Sequence, residues 1–271
     1  MTKTPEQIAQ EKQLERLTKR FHKACADYGL IADGDHILIG LSGGKDSLLL
    51  TELLGRRAQI YVPRFRVTAL HVRVKERDYH TDLSYLQAFC DEAKVPLLVR
   101  DVEISSPRNE SPSHHESLPL RGGAGRGFEK DTSPCFLCSW FRRKELFNTA
   151  QEIGCNKIAF GHHRDDIAQT LLMNLIFQGA YATMPPILQM DKMPLQLIRP
   201  LCLIDEADII TYAAMRNYQK QTKLCPFEHV SSREKVKGLL EEIKALNPEA
   251  LDSIYGALTN IKTDYLPNCK L

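Results

Sequence analysis

His36-Ile-Leu-Ile-Gly-Leu-Ser-Gly-Gly-Lys-Asp-Ser-Leu-Leu-Leu50 is the pivot of this 271-residue chain. The apolar, β-rich run from His36 to Leu41 breaks at Gly43 and Gly44, and an apolar-periodic run starts at once. That pattern predicts a strand, a tight turn and a helix N-terminus. Two glycines let the backbone turn sharply and approach a ligand closely. The free amides and positive dipole end of the following helix suit an anion such as phosphate. Ser42 and Ser47 add hydroxyls and Lys45 a mobile cation. It is not the common phosphate loop. G-x-x-x-x-G-K-[ST] requires a glycine at Ile39 and a Ser or Thr at Asp46, so the hydroxyl that kinases and GTPases place on Mg²⁺ is missing.

Downstream, strands and helices alternate. The pattern predicts strands at Phe65–Val72, Leu97–Val102, Lys157–Gly161 and Leu195–Leu201. It predicts helices at Asp82–Ala93, Ser139–Ile153, Asp165–Gln178 and Asp205–Asn217. The helix after Asp165 is expected to bury Ile167, Leu171, Leu172, Leu175 and Ile176. Alternation of this length implies an α/β fold, a parallel sheet covered by helices on both faces, with ligands beyond the strands' carboxyl ends. An N-terminal helix (residues 1–30, periodic from Glu6 to Tyr28) precedes an α/β domain over 31–220. A helical C-terminal extension (221–271) follows, with helices over Arg233–Leu246 and Pro248–Ile261. A Pro- and Gly-rich insert at 105–131 interrupts the α/β domain. Its Arg121, Arg126 and Lys130 are candidate polyanion contacts, beside the plainer reading of a solvated loop.

Composition narrows the classes. A hydrophobic fraction of 43% and a charged fraction of 26% describe a soluble globular chain. No apolar run approaches the roughly 20 residues of a membrane helix, and the polar N-terminus carries no signal-like apolar segment; the expectation is a cytoplasmic protein. Its eight cysteines are then expected to be reduced. A net charge of +2 does not by itself call for nucleic acid. Lys12, Arg16, Lys19, Arg20 and Lys23 share one helix face, read either as a phosphate-binding stripe or as a solvated face balanced by Glu11 and Glu15.

Two constellations carry chemistry. Cys135-Phe-Leu-Cys138 directly precedes the helix expected near Ser139. This spacing lets two thiolates reach one metal, and a helix N-terminus favours the thiolate. Cys225 is a third candidate ligand. With His229 the set makes a zinc Cys₃His site; alone, three cysteines leave one iron of a cluster open. Cys25 and Cys90 fall in or beside apolar stripes, and Cys155, Cys202 and Cys269 have no partner at ligand spacing. The second constellation is Gly161-His-His-Arg-Asp-Asp166, again after a strand and opening a helix. Either Asp165 or Asp166 suits a helix cap, and a carboxylate beside a triphosphate suits Mg²⁺. Arg142 and Arg143 lie one turn past Cys138, as edge cations or as a solvated face.

Ser42–Ser47 resembles the pyrophosphate loop of the N-type ATP pyrophosphatases, the Rossmann-like adenine nucleotide alpha hydrolase fold. Together with Cys135/Cys138, Arg142-Arg143, Gly161–Asp166, Met184-Pro185-Pro186, Ile198-Arg199-Pro200-Leu201 and Cys225, the chain resembles the tRNA 2-thiocytidine synthetase family over roughly residues 15 to 265. The resemblance implies ATP on Ser42, Gly43, Gly44, Lys45, Asp46 and Ser47, with Arg142 and Gly161 contacting it. It implies catalytic roles for Lys45, Asp46 and Asp166, and Mg²⁺. It also implies a 4Fe–4S cluster on Cys135, Cys138 and Cys225 whose fourth iron is free to receive sulfide, and a sulfur donor such as a cysteine desulfurase. The substrate implied is tRNA, at the C2 carbonyl of a cytidine such as position 32, and the assembly implied is a homodimer. Lys12, Arg16 and Lys19 are the tRNA-contact candidates. The chain departs from the family at Glu228, where a further cysteine is usual, and in the length of the insert. It also lacks the additional zinc-binding cysteine pairs that related ribothymidine thiolases carry at both ends. The competing readings are a pyrophosphatase-loop ligase or amidotransferase with structural zinc, and a non-catalytic nucleotide-binding protein.

Overall fold

The computed structural model describes residues 3–75, 79–104, 134–191, 193–219, 222–223 and 232–266. Helix α1 (Pro5–Asp27) opens with a capping box: Gln7 N–H donates to the Thr4 hydroxyl at 3.2 Å, and Thr4 N–H donates to Gln7 Oε1 at 2.9 Å. Pro5 at the first helical position sacrifices no hydrogen bond. The helix buries Leu17, Phe21 and Ala24 and packs on α6 (Glu206–Met215).

The strands are β1 (His36–Gly40), β2 (Arg66–Val74), β4 (Leu97–Val102), β5 (Lys157–Ala159), β6 (Ile187–Gln189) and β7 (Gln196–Ile198). They form one sheet in the order β4-β2-β1-β5-β7-β6, parallel except where β6 pairs antiparallel with β7. Chain order reverses at β1, which makes the crevice beside β1 the switch point where such sheets bind ligands. A separate antiparallel pair joins β3 (Tyr79–His80) to β8 (Thr222–Lys223).

Both faces are covered, so β1 reads as a continuous apolar run. Ile37 and Ile39 enter one core with α1, α2 (Lys45–Ala58), α3 (Leu83–Ala93) and α6. Leu38 enters the other with Leu146, Phe147 and Ala150 of α4 (Pro134–Glu152). Helix α5 (Arg164–Gln178) packs against α7 (Ser232–Leu246) and α8 (Ala250–Ala257) around Ala168, Leu240 and Leu251.

The expected burial along α5 needs correction. Ile167 and Leu171 are buried and Leu172 partly so, but Leu175 is 42% and Ile176 53% exposed. Burial stops at Asn174, whose amide turns to the Ala182 carbonyl (2.7 Å), and the last turn carries its apolar residues into solvent. Strand β6 was not anticipated: three residues after Pro185-Pro186 carry no periodic signal, and only pairing with β7 makes them a strand.

Candidate active site

Parallel strands bring the ends of β1, β2, β5 and β7 to one edge. There Gly43 takes φ +84°, a conformation that favours glycine, and Gly44 sits at the cap position of α2 with no side-chain acceptor for the first-turn amides. The two serines brace the loop. Gly43 N–H donates to Ser47 Oγ (3.1 Å), Ser47 Oγ donates to the Gly44 carbonyl (2.9 Å), and Gly44 N–H donates to Ser42 Oγ (3.3 Å). The serines therefore shape the turn from within, while the amides of the helix start face the position an anion would take.

Gly161, just past β5, touches this loop from the side. A Cβ there would lie 3.0 Å from the Asp46 carbonyl carbon, 3.1 Å from its oxygen and 3.2 Å from Ser47 N. Any side chain there would press on the first turn of α2, whose backbone would have to give by a few tenths of an ångström.

The acids at this edge are all engaged. Lys45 Nζ lies between Asp46 (3.1 Å) and Glu206 Oε1 (3.1 Å). Glu206 also takes Lys237 of α7, at 3.1 and 3.0 Å. Burial opposes ionisation of Glu206, but the hydrogen bond of Lys237 and the charge and hydrogen bond of Lys45 outweigh it and hold the carboxyl at about 2. Asp166 accepts from His163 N–H (3.1 Å) and from Arg233 (2.8 Å). Burial raises its pKa, yet the charges of His163, His162 and Arg233 bring it below the ordinary carboxylate value. Asp165 accepts from Glu206 N–H (2.8 Å) and Lys244 (2.6 Å), so it caps α6 rather than its own helix. His162 is pushed down to about 4 by burial, which keeps it neutral near neutral pH.

A cavity of about 300 Å³ opens at the end of β2, lined by His71 to Lys75, Thr81, Asp101 and Arg142. His71 Nδ1 bonds the Leu41 carbonyl at 2.8 Å, which ties the cavity wall to the start of the loop. Arg142 lies one turn along α4 from Cys138, so one helix serves the cavity and the cysteine pair. Here too the helix start is corrected: α4 begins at Pro134, five residues before Ser139, so Cys135 lies in its first turn and Cys138 at the start of its second instead of preceding it. Proline at a helix start accounts for this, since its missing N–H is not needed there.

Cys138 is buried. The side chain of Cys135, together with Cys225, His229, Cys269 and the 105–131 insert, lies outside the described residues. Among the described residues no group of three or more His, Cys, Asp and Glu side chains is placed to hold a metal ion. Burial pushes the thiols of Cys25 and Cys90 up to about 12 and those of Cys155 and Cys202 up to about 11, values of structural cysteines. Of the basic face on α1, Arg16 pairs with Asp208 (3.1 Å), Arg20 with Asp205 (2.8 Å), Lys19 with Glu15 (2.8 Å) and Lys23 with Asp27 (2.6 Å), and Lys12 and Lys19 are exposed. No helix among the described residues is long and apolar enough to cross a membrane.

The PP-loop domain family matches residues 10–120. The tRNA-cytidine(32) 2-sulfurtransferase of Paraburkholderia phymatum is 32% identical over 267 residues, spanning 98% of this chain and 74% of the relative. The chain belongs to the tRNA-cytidine(32) 2-sulfurtransferase family. A member from Acinetobacter baumannii is also 32% identical, over 97% of this chain and 81% of its own length. The solved U34-tRNA thiolase NcsA from Methanococcus maripaludis, with its [4Fe-4S] cluster, superposes with a TM-score of 0.70 at 24% identity, covering 96% of this chain and 83% of that one. This likeness shows a shared fold. The PP-loop supports ATP binding.

Sequence reasoning missed Glu206, Lys237 and Arg233. Glu206 reads as an ordinary first-turn acid, and the α7 basic residues read as solvent-facing. Their positions 233, 237 and 244 recur at helical spacing, but nothing local says that this face meets three acids from two other elements.

Proposed function

We propose that this chain is an ATP-dependent tRNA sulfurtransferase that replaces the C2 oxygen of a tRNA cytidine, at position 32, with sulfur. The supporting observation is the single edge shared by the Ser42–Ser47 loop, the Arg142 cavity and the helix start bearing Cys135 and Cys138. The nucleoside of ATP occupies the cavity at the end of β2, and the β- and γ-phosphates lie on the loop amides and Lys45. Asp46, one residue into α2, would hold Mg²⁺ there, an ion that prefers carboxylate and phosphate oxygens. Attack by the cytidine C2 oxygen on the α-phosphorus forms an O–P bond and breaks the bond to the β-phosphate, whose electron pair leaves with pyrophosphate. Preorganised amides and Lys45 stabilise that charge, the electrostatic role expected to dominate. Asp166, fixed by Arg233 and the His163 amide, orients the Gly161 turn against the loop. Sulfide-level sulfur then adds at C2 and AMP departs, so no net oxidation is required. Cys135, Cys138 and Cys225 would hold a 4Fe–4S cluster, which would supply a binding place for that sulfide; sulfur from a donor such as a cysteine desulfurase, delivered as a persulfide, would first be reduced by two electrons by a thiol reductant. The tRNA is met by Lys12 and Lys19, and the working unit is a homodimer.

The test is nucleoside mass spectrometry of tRNA from cells lacking the protein. 2-Thiocytidine should disappear and return with the wild-type chain, but not with Asp46→Asn or Cys225→Ser. Purified Cys225→Ser protein should still bind ATP. Persistence of 2-thiocytidine without the protein would refute the reading.

A further inference from the structure

The Ser42–Ser47 loop has been assigned one lysine, yet a second reaches the same point from the far end of the chain. Lys45 Nζ and Lys237 Nζ each lie 3.1 Å from one oxygen, Glu206 Oε1. Glu206 is itself fixed, because it opens α6 and its N–H is held by Asp165 at 2.8 Å. Its side chain is 16% exposed, against 29% for Lys45 and 46% for Lys237. The carboxylate thus anchors two ammonium groups that are less buried than itself.

An ammonium has three donors. Among the described residues, Lys45 spends its contacts on Asp46 and Glu206, and Lys237 on Glu206. Both retain donors for another acceptor without leaving the carboxylate. Two ammonium groups thus converge on one carboxylate at the start of α2, next to Asp46, and are held where charge develops when an anion departs. A simple structural ion pair would need only one lysine. Helix α7 is kept over this edge by two further pairs, Arg233 with Asp166 (2.8 Å) and Lys244 with Asp165 (2.6 Å).

We propose that Lys237 is a second pyrophosphate ligand, and that Glu206 is the positioning residue that clamps Lys45 and Lys237 into a pair receiving the leaving pyrophosphate. The inference rests on the reading of Ser42–Ser47 as the pyrophosphate loop. It makes α7 part of the ATP site and gives the C-terminal region a share in the first half-reaction.

The experiment measures binding of inorganic pyrophosphate and, separately, of AMP to the full-length protein by calorimetry. Lys237→Ala should weaken pyrophosphate binding about tenfold or more, the range for a lost charge-assisted hydrogen bond, with AMP binding unchanged. Lys237→Arg should recover most of the loss. Glu206→Gln should weaken pyrophosphate but not AMP, since both lysines lose their common anchor. Lys237→Gln, which keeps the stem and removes the charge, serves if the alanine variant folds poorly. Wild-type pyrophosphate affinity in both neutral variants overturns the proposal, as does an equal loss for pyrophosphate and AMP. Lys45→Ala separates the two levels. If it too binds pyrophosphate normally, the loop reading falls; if it alone loses binding, only the role of Lys237 falls.

Discussion

Replacing Gly161 by alanine adds one methyl group where β5 runs out against the start of α2. Gly161 is not among the positive-φ glycines, so alanine has no backbone penalty there. The whole effect is steric. The new Cβ meets three backbone atoms at 3.0, 3.1 and 3.2 Å, and the neighbour must give by a few tenths of an ångström. Backbone at a helix N-terminus cannot rotate away as a side chain does, so the first turn of α2 and the anion position move with it. Overpacking of this kind costs about 1–3 kcal/mol. Because a misplacement of about 1 Å at a reacting centre costs roughly a hundredfold in rate, a shift of a few tenths should lower the ATP-dependent rate by about three- to tenfold. Urea unfolding gives the stability loss as a fall in midpoint at constant slope. Steady-state kinetics with ATP, scored by pyrophosphate release with tRNA, gives the functional loss. A variant with wild-type stability and wild-type kcat/KM for ATP would refute the claim that Gly161 is required by its approach to Asp46 and Ser47.

Gly55→Ala provides the stability counterpart: its Cβ would collide with the Ala93 carbonyl oxygen and lie 2.9 Å from Val95 Cγ2, prising α2 from α3. Alanine gains about 1 kcal/mol in helix propensity, but the clash with backbone should outweigh it, for a net loss near 2 kcal/mol in urea titration; an unchanged or higher midpoint would contradict this. Acid sensitivity should be visible at Glu206, whose folded pKa of about 2 lies below its ordinary value of 4.5. Its contribution is complete above about 4.5, fades as pH falls through about 2, and is at most about 3 kcal/mol. Unfolding free energies at pH 5 and pH 3 should therefore converge more in Glu206→Gln than in wild type, and parallel pH profiles would count against the ion pairs.

The sheet was legible because parallel strands are buried on both faces. His36–Gly40 is an apolar run that no solvent-facing strand would carry, whereas the edge strand Leu97–Val102 carries Arg100 and Asp101 and is only partly buried. Helix ends were legible to within a few residues where local chemistry sets them, as with Asp82 capping α3 through Tyr85 N–H at 3.0 Å. Helix α4 was displaced because Pro134 can start a helix as readily as a loop, and the residues before it carry no opposing signal. Leu175 and Ile176 were misplaced for another reason. Apolar periodicity reports that a face is apolar, whereas burial depends on whether α7, α8 or the sheet reaches it.

For the site, the chain alone determined the turn at Gly43-Gly44, the cysteine pair and the acid-rich helix start, since each is a few consecutive residues whose geometry is local. It also determined the common edge, because parallel strands must all end on the same side. Only the tertiary structure decided which charges meet there. Lys45, Glu206 and Lys237 are separated by 161 and 31 residues along the chain, and their contact exists because α6 packs on α2 and α7 on α5. Electrostatic partners at such separations leave no periodic trace in sequence. Coulomb attraction depends on distance in space, and that distance is set by the packing of apolar faces elsewhere in the molecule.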